Sequence, residues 1–329
     1  MLDKKVKYAI TSLAFNHNGN LLALSSYSND EIEVCKIENK SIKTEKKIKL
    51  TAGNNPANSL VWSANFLVCI DAYAKQISKI NYENGILESV FTHSHARVFE
   101  SIDLMSINDQ QYYLIGSKKI HPPTIEKLKI DVSYENLKNI FIINEGLKVF
   151  RSCSIPGNVL QAKFDEGHQK VFVVSTYLDG TSLFVLDTSL NIEHKIILTS
   201  RRAISAFIAL SNKVSVLCQV NQKDFKSVFS NINYSFSEVE SYIKFEDLKF
   251  TEKSNEYINS IFGHKNILVT EVFNRDIEES FLSFIDTNSN KNLKIIQVHG
   301  FMESMALNEK FIAWGENNKI RVVESKRQS

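Results

Sequence analysis

At 329 residues, with 43% hydrophobic and 23% charged residues, the chain is large enough to bury a core without help from disulfides or metals. A formal net charge of +2 removes the case for the strongly basic face that broad nucleic-acid binding needs. The charged start leads into no apolar run, and no stretch of about 18 apolar residues follows, so neither a signal peptide nor a membrane span is expected and residence is cytoplasmic or nuclear.

The first readable stretch, residues 10–37, is three short strands with two tight reversals. Ile10–Phe15 is followed by a turn at 16–20, then Leu21–Ser26, a second turn at 27–31, and Ile32–Ile37. Ser41–Leu50 is a looser fourth strand, and its Lys43, Lys46, Lys47 and Lys49 suit an exposed edge that must not pair. The same phrase returns from Asn58-Ser59-Leu60-Val61-Trp62, where Asn84-Gly85 between two β-rich runs is a hairpin signal. The third unit is less regular: Phe99–Leu104, Tyr112–Ser117, an insert of about 118–136, then Asn139–Ile143 and Leu147–Cys153. The fourth is clear again, with Val159–Phe164, Val171–Thr176, an Asp179-Gly180 turn, Ser182–Asp187 and His194–Thr199. A fifth unit starts at Ala203 and has a diffuse tail to Phe250. A sixth starts at Asn259, and a seventh, with three clear strands, starts at Met302.

The unit starts fall near residues 10, 59, 102, 158, 204, 259 and 302, spaced between 43 (59 to 102) and 56 (102 to 158). Propeller blades of the WD type repeat at about 40–45 residues and kelch blades at about 50. A four-stranded antiparallel sheet cannot bury both faces alone, whereas seven of them stacked round an axis can. The expected fold is therefore all-β: one domain over 1–329, a seven-bladed β-propeller of four-stranded antiparallel blades. The last blade is either incomplete or closed by an N-terminal strand, for which Lys4–Tyr8 is the candidate.

The units resemble degenerate WD-repeat blades. Where the family ends its third strand with Trp-Asp, this chain has Leu186-Asp187-Thr188 and Ile285-Asp286-Thr287. Gly167-His168 and Gly263-His264 lie after the first strand, where the family's Gly-His precedes it, and Trp62 and Trp314 fall on other strands. The resemblance implies the propeller fold, with the family's Asp-His-Ser/Thr-Trp hydrogen-bond network mostly absent.

In a propeller, the segments leading into each first strand gather around one mouth of the channel. Here they carry His93, His95, Arg97, Arg201, Arg202, Tyr257, His299 and Phe301, the predicted partner-binding set. Aromatic and arginine side chains dominate protein-binding hot spots, and a basic rim suits an acidic peptide. The insert 118–136 is a second candidate surface, since insertions in a repeat map to loops on one face. His93 and His95 could point the same way toward a metal, but no third ligand lies nearby, so they read as exposed loop histidines and no metal or cofactor is predicted. The serines heading the units (Ser12, Ser59, Ser205, Ser260, Ser304) recur, which marks a blade feature bonding backbone near the channel; a nucleophile is a single activated residue. The cysteines (Cys35, Cys69, Cys153, Cys218) have no zinc or redox spacing. The expected protein is a non-enzymatic protein–protein interaction scaffold, a subunit of a larger complex, binding partners through the channel-mouth face or the insert. The alternative is a propeller hydrolase or lactonase-like enzyme using His93 or His95 at the channel mouth. Nucleic acid ranks last as a partner.

Overall fold

The computed structural model describes residues 1–26, 30–38, 40–50, 59–70, 76–92, 97–119, 138–221, 226–232, 239–240, 256–299, 302–316 and 318–324. Among them, the strands form seven four-stranded antiparallel sheets, six in simple up-and-down order and the seventh completed by the N-terminal strand. Blade one is Ile10–Phe15, Leu21–Ser26, Glu31–Glu38 and Ser41–Lys49. Blade two is Ser59–Ser63, Phe66–Ile70, Gln76–Asn81 and Leu87–Thr92. Blade three is Arg97–Ile107, Gln110–Lys119, Ile140–Asn144 and Val149–Cys153. Blade four is Asn158–Asp165, Lys170–Tyr177, Gly180–Leu186 and Ile192–Thr199. Blade five is Ser205–Leu210, Val214–Asn221, Lys226–Ile232 and Val239–Glu240. Blade six is Glu256–His264, Ile267–Asn274, Glu279–Asp286 and Lys291–Val298. Blade seven is Met302–Leu307, Phe311–Glu316 and Lys319–Glu324, with Leu2–Lys5 as its outer strand.

The first strands of successive blades are neighbours round the ring, and that of blade seven meets that of blade one. The second strands are nearly continuous apolar runs (Leu-Leu-Ala-Leu, Phe-Leu-Val-Cys-Ile, Val-Phe-Val-Val) because both of their faces are buried between blades. The core is accordingly divided by interface. Leu60, Trp62 and Leu67 of blade two pack on Ala14, Ala23 and Ile32 of blade one. Phe172, Val174 and Val185 of blade four pack on Ala206, Ile208 and Val216 of blade five. Where blade seven meets blade one, Ala313, Ile320 and Val322 join Ile10, Leu22 and Leu24. Fourth strands lie at the periphery and alternate or are largely exposed, as in Leu87–Thr92 and Ile192–Thr199.

The seven-bladed all-β fold and its closure by the N-terminal strand are as the repeat implies. The closing strand is Leu2–Lys5, slightly earlier than Lys4–Tyr8, and pairs residue by residue with Lys319–Val322. The first strand of blade three starts at Arg97, two residues ahead of the Phe99–Leu104 read for it and five ahead of the unit start near 102, and carries a bulge between Phe99 and Ser101.

Candidate functional site

The two faces of the ring carry different sets of turns and crossovers. One face carries the turns joining first to second and third to fourth strands. There, basic side chains cross to the next blade. Lys46 donates to the Tyr82 and Glu83 carbonyls (2.9 and 2.5 Å), Lys79 to Glu145 (2.9 Å) and Arg151 to Thr188 (2.5 Å). Lys265 pairs with Glu309, and Lys310 reaches the Asn18 carbonyl of blade one at 3.4 Å. These cations tie blades together. Asp187 and Asp286, the counterparts of the Trp-Asp ending, cap local turns on this face by accepting from the backbone N–H groups of Ser189 and Asn288, each at 2.8 Å.

The opposite face carries the crossovers from each fourth strand to the next blade, and here buried polar side chains hold the backbone. Asn139 donates through Nδ2 to the carbonyls of Ile155 (2.8 Å) and Gly157 (3.2 Å) and accepts from Ile155 N–H (2.8 Å). Thr181, fully buried, donates to the Arg201 carbonyl (2.9 Å) and accepts from Ala203 N–H (2.8 Å). Glu271, also fully buried, accepts from Met302 N–H (3.1 Å) and from Ser280, Asn259 and Ser260 (2.8, 2.8 and 2.7 Å). Three different residue types thus perform one task, in place of the network that a WD repeat distributes over fixed positions. Sequence reading missed all three. The only signal available is a polar residue interrupting, or lying beside, an apolar run.

The clamp at Thr181 assembles a surface. It fixes Arg201–Ala203 beside the Tyr177–Gly180 turn, where Gly180 has φ +138° and a Cβ would stand 3.0 Å from Ser200 Cα. Arg201, Arg202 and Ile204 are exposed on one side of this junction, and Tyr177 (51% exposed) and Leu178 (75%) on the other. Neither arginine has a carboxylate in ion-pair reach among the described residues. An apolar patch with two unengaged guanidinium groups on rigid backbone can recognise a protein surface bearing carboxylates.

Of the other predicted residues, His299 lies on the blade six to blade seven crossover, with Nδ1 3.0 Å from Glu279 Oε1. His299 holds the Glu279 carboxyl below its usual range. Tyr257 is 7% exposed, its ring 5.6 Å from that of Phe273 with the Arg275 guanidinium over it, so it is packed into blade six. Arg97 begins the first strand of blade three, opposite Lys119. His93, His95, Phe301 and nearly all of the insert 118–136 lie outside the described residues. Arg201 and Arg202 are therefore brought together with Tyr177, Leu178 and Ile204, which the sequence reading did not single out.

The head-of-unit serines divide. Ser12 accepts from Leu60 N–H of the next blade at 3.0 Å, and Ser260 joins the Glu271 cluster at 2.7 Å. The Ser304 hydroxyl is buried without a hydrogen-bond partner among the described residues. Burial pushes the thiols of Cys35 and Cys218 up to about 12 and that of Cys153 to about 11, which disfavours the nucleophilic thiolate. Among the described residues, no group of three or more His, Cys, Asp or Glu side chains is placed to hold a metal, and no helix is long and apolar enough to cross a membrane.

These features define a seven-bladed propeller with several inter-blade cation contacts on one face and an exposed basic and apolar patch, unengaged among the described residues, on the other. No family model and no curated protein matches the chain. Among solved structures it is similar to Saccharomyces cerevisiae Sqt1, with a TM-score of 0.62, 10% identity and 99% of each chain covered. It is also similar to the WD40 domain of Neurospora crassa Pan2, with a TM-score of 0.66, 10% identity, and 98% of this chain and 90% of that one covered. The shared property at this identity is the fold, which is that of a WD40 propeller.

Proposed function

We propose that this protein is a non-enzymatic interaction scaffold, a subunit of a larger complex, that holds an acidic protein partner on its crossover face. The observation that carries the reading is the exposure of Arg201 and Arg202, unengaged among the described residues, on backbone that the buried Thr181 hydroxyl clamps in place. Several cations on the opposite face, Lys46, Lys79, Arg151 and Lys265, are taken up by contacts between blades, so those four are less available to a partner. The reading includes residence in the cytoplasm or nucleus, where buried thiols such as Cys35, Cys69 and Cys218 stay reduced.

The test is affinity purification from the native cell with the wild type and with Arg201→Glu/Arg202→Glu. Reversing two charges at a complementary interface places like charges opposite each other, so recovery of the direct partner should fall about tenfold or more while the fold is retained. Partners recovered equally with both proteins would place the binding surface elsewhere, and no recovery with the wild type would count against a scaffold.

A further inference from the structure

Blade four has a cavity that the packing of the ring leaves open, and Gly180 in its lining abuts the crossover that carries the arginines. The register sets Val173 opposite Phe184, Ser175 opposite Ser182 and Tyr177 opposite Gly180. On the next pair of strands, Phe184 lies opposite Lys195 and Ser182 opposite Ile197. Opposed residues share a face, so these positions form one strip on the side of blade four turned toward blade three. In the middle of the blade the strip is filled: Val173, Phe184 and Leu186 pack against Leu114, Ile140 and Ile142 of blade three. Toward the crossover face the large apolar residues give way to Ser175, Ser182 and Gly180. A solvent-open cavity of about 240 Å³ results, walled by Phe184, Pro156 and Tyr177 and flanked by Lys195.

We propose that this cavity seats one large apolar side chain of an acidic peptide segment whose carboxylates lie against Lys195, Arg201 and Arg202. The proposal rests on the reading of the crossover face as a partner site and specifies the partner's chemistry. Its volume is below the roughly 300–1,000 Å³ of pockets that take whole small-molecule ligands, and it matches a single side chain better. The surroundings of its mouth are apolar, with Tyr177, Leu178 and Ile197 (69% exposed). One cation, Lys195, and one carboxylate, Asp179, line the cavity, and the Arg201 backbone passes next to Gly180–Thr181 at its edge, so with Arg201 and Arg202 the neighbourhood is net positive and favours an acidic segment over a basic one. Gly180 lines the cavity and also abuts Ser200, next to Arg201, so anchor and carboxylates belong to one contiguous stretch of partner.

The probe is a short fluorescent peptide of Asp and Glu built around a single Leu, titrated against the full chain and followed by anisotropy. The Leu-centred peptide should bind, and exchanging its Leu for Ala should weaken binding about tenfold or more, the effect of one buried aliphatic side chain. Ser182→Phe, which fills the cavity, should do the same. Lys195→Glu, an exposed change on the outer strand, should weaken binding several-fold and carries the test if Ser182→Phe fails to fold. No binding of the Leu-centred peptide, or equal binding of the Leu- and Ala-centred peptides, overturns the anchor. Equal binding by wild type and a folded Ser182→Phe protein does so too. Equal binding of a Lys-rich peptide around the same Leu overturns the acidic assignment. Failure of the underlying face is separate: it shows as native-partner recovery that Arg201→Glu/Arg202→Glu leaves unchanged.

Discussion

Glu271 has no exposed surface, and burial pushes its carboxyl above the usual range while the bonds from Ser260, Ser280, Asn259 and Met302 N–H pull it back. An acid whose pKa is raised by folding holds its proton more tightly folded than unfolded. Its contribution to stability is full below the unfolded pKa and is lost as pH rises through the folded value. The melting temperature should therefore fall as pH rises from about 4 toward neutrality by more than it does in Glu271→Gln, which cannot titrate. Thermal unfolding across that range compares the slopes, and equal slopes would remove Glu271 as the source. The glutamine variant has only one acceptor oxygen for two obligate N–H donors, Met302 N and Asn259 Nδ2, so its melting temperature starts lower. None of this is legible in Thr270-Glu271-Val272, which reads as ordinary strand alternation. The partners come from three other strands, and Met302 is 31 residues away. The recurrent serines were easier to read, because repetition alone separates a blade feature from a nucleophile.

Crossovers between blades are the elements on which the candidate site depends, and Thr181 isolates their contribution. Thr181→Val keeps the branched shape and removes both hydrogen bonds, leaving the Arg201 carbonyl and Ala203 N–H without that partner. A buried polar group left unsatisfied costs about 1–3 kcal/mol. Denaturant unfolding should show a loss of that order, and hydrogen exchange at Ala203 should quicken. Binding of the acidic partner should weaken, because Arg201 and Arg202 are then carried on looser backbone. Unchanged exchange at Ala203 would mean that the clamp does not hold the crossover. Turns were the best-read elements: Asn84-Gly85 and Asp179-Gly180 announce positive φ, and Gly85 and Gly180 have it, at 73° and 138°. The clamps were not read, since Asn139, Thr181 and Glu271 share neither residue type nor position along the blade. Only the pairing of strands shows that each reaches the same kind of segment.

At the scale of the whole ring, stability depends on how the last blade is completed. Leu2–Lys5 supplies the outer strand of blade seven, and Leu2 and Val6 pack on the cluster that joins blades seven and one. Lys4 also pairs with Glu33 of blade one, to which Thr44 donates at 2.6 Å. Burial alone would raise the Glu33 carboxyl, but the hydrogen bonds from Lys4 and Thr44 outweigh it and hold the group below its usual range. The sign is opposite to that of Glu271: this contribution is present above the unfolded carboxylate pKa and is lost as pH falls through the folded one. Two variants separate strand from ion pair. Lys4→Met keeps the strand and its stem packing, so it should cost about 1–3 kcal/mol near neutral pH and little in acid, where Glu33 is protonated. Deleting residues 1–6 removes the pair and the strand together and exposes the edge of Lys319–Glu324. Its loss should exceed that of Lys4→Met at every pH, and the bared edge should promote self-association, visible by size-exclusion chromatography. A deletion that unfolds no sooner than Lys4→Met would show that the first strand adds nothing beyond its lysine, and that three strands suffice to complete the ring.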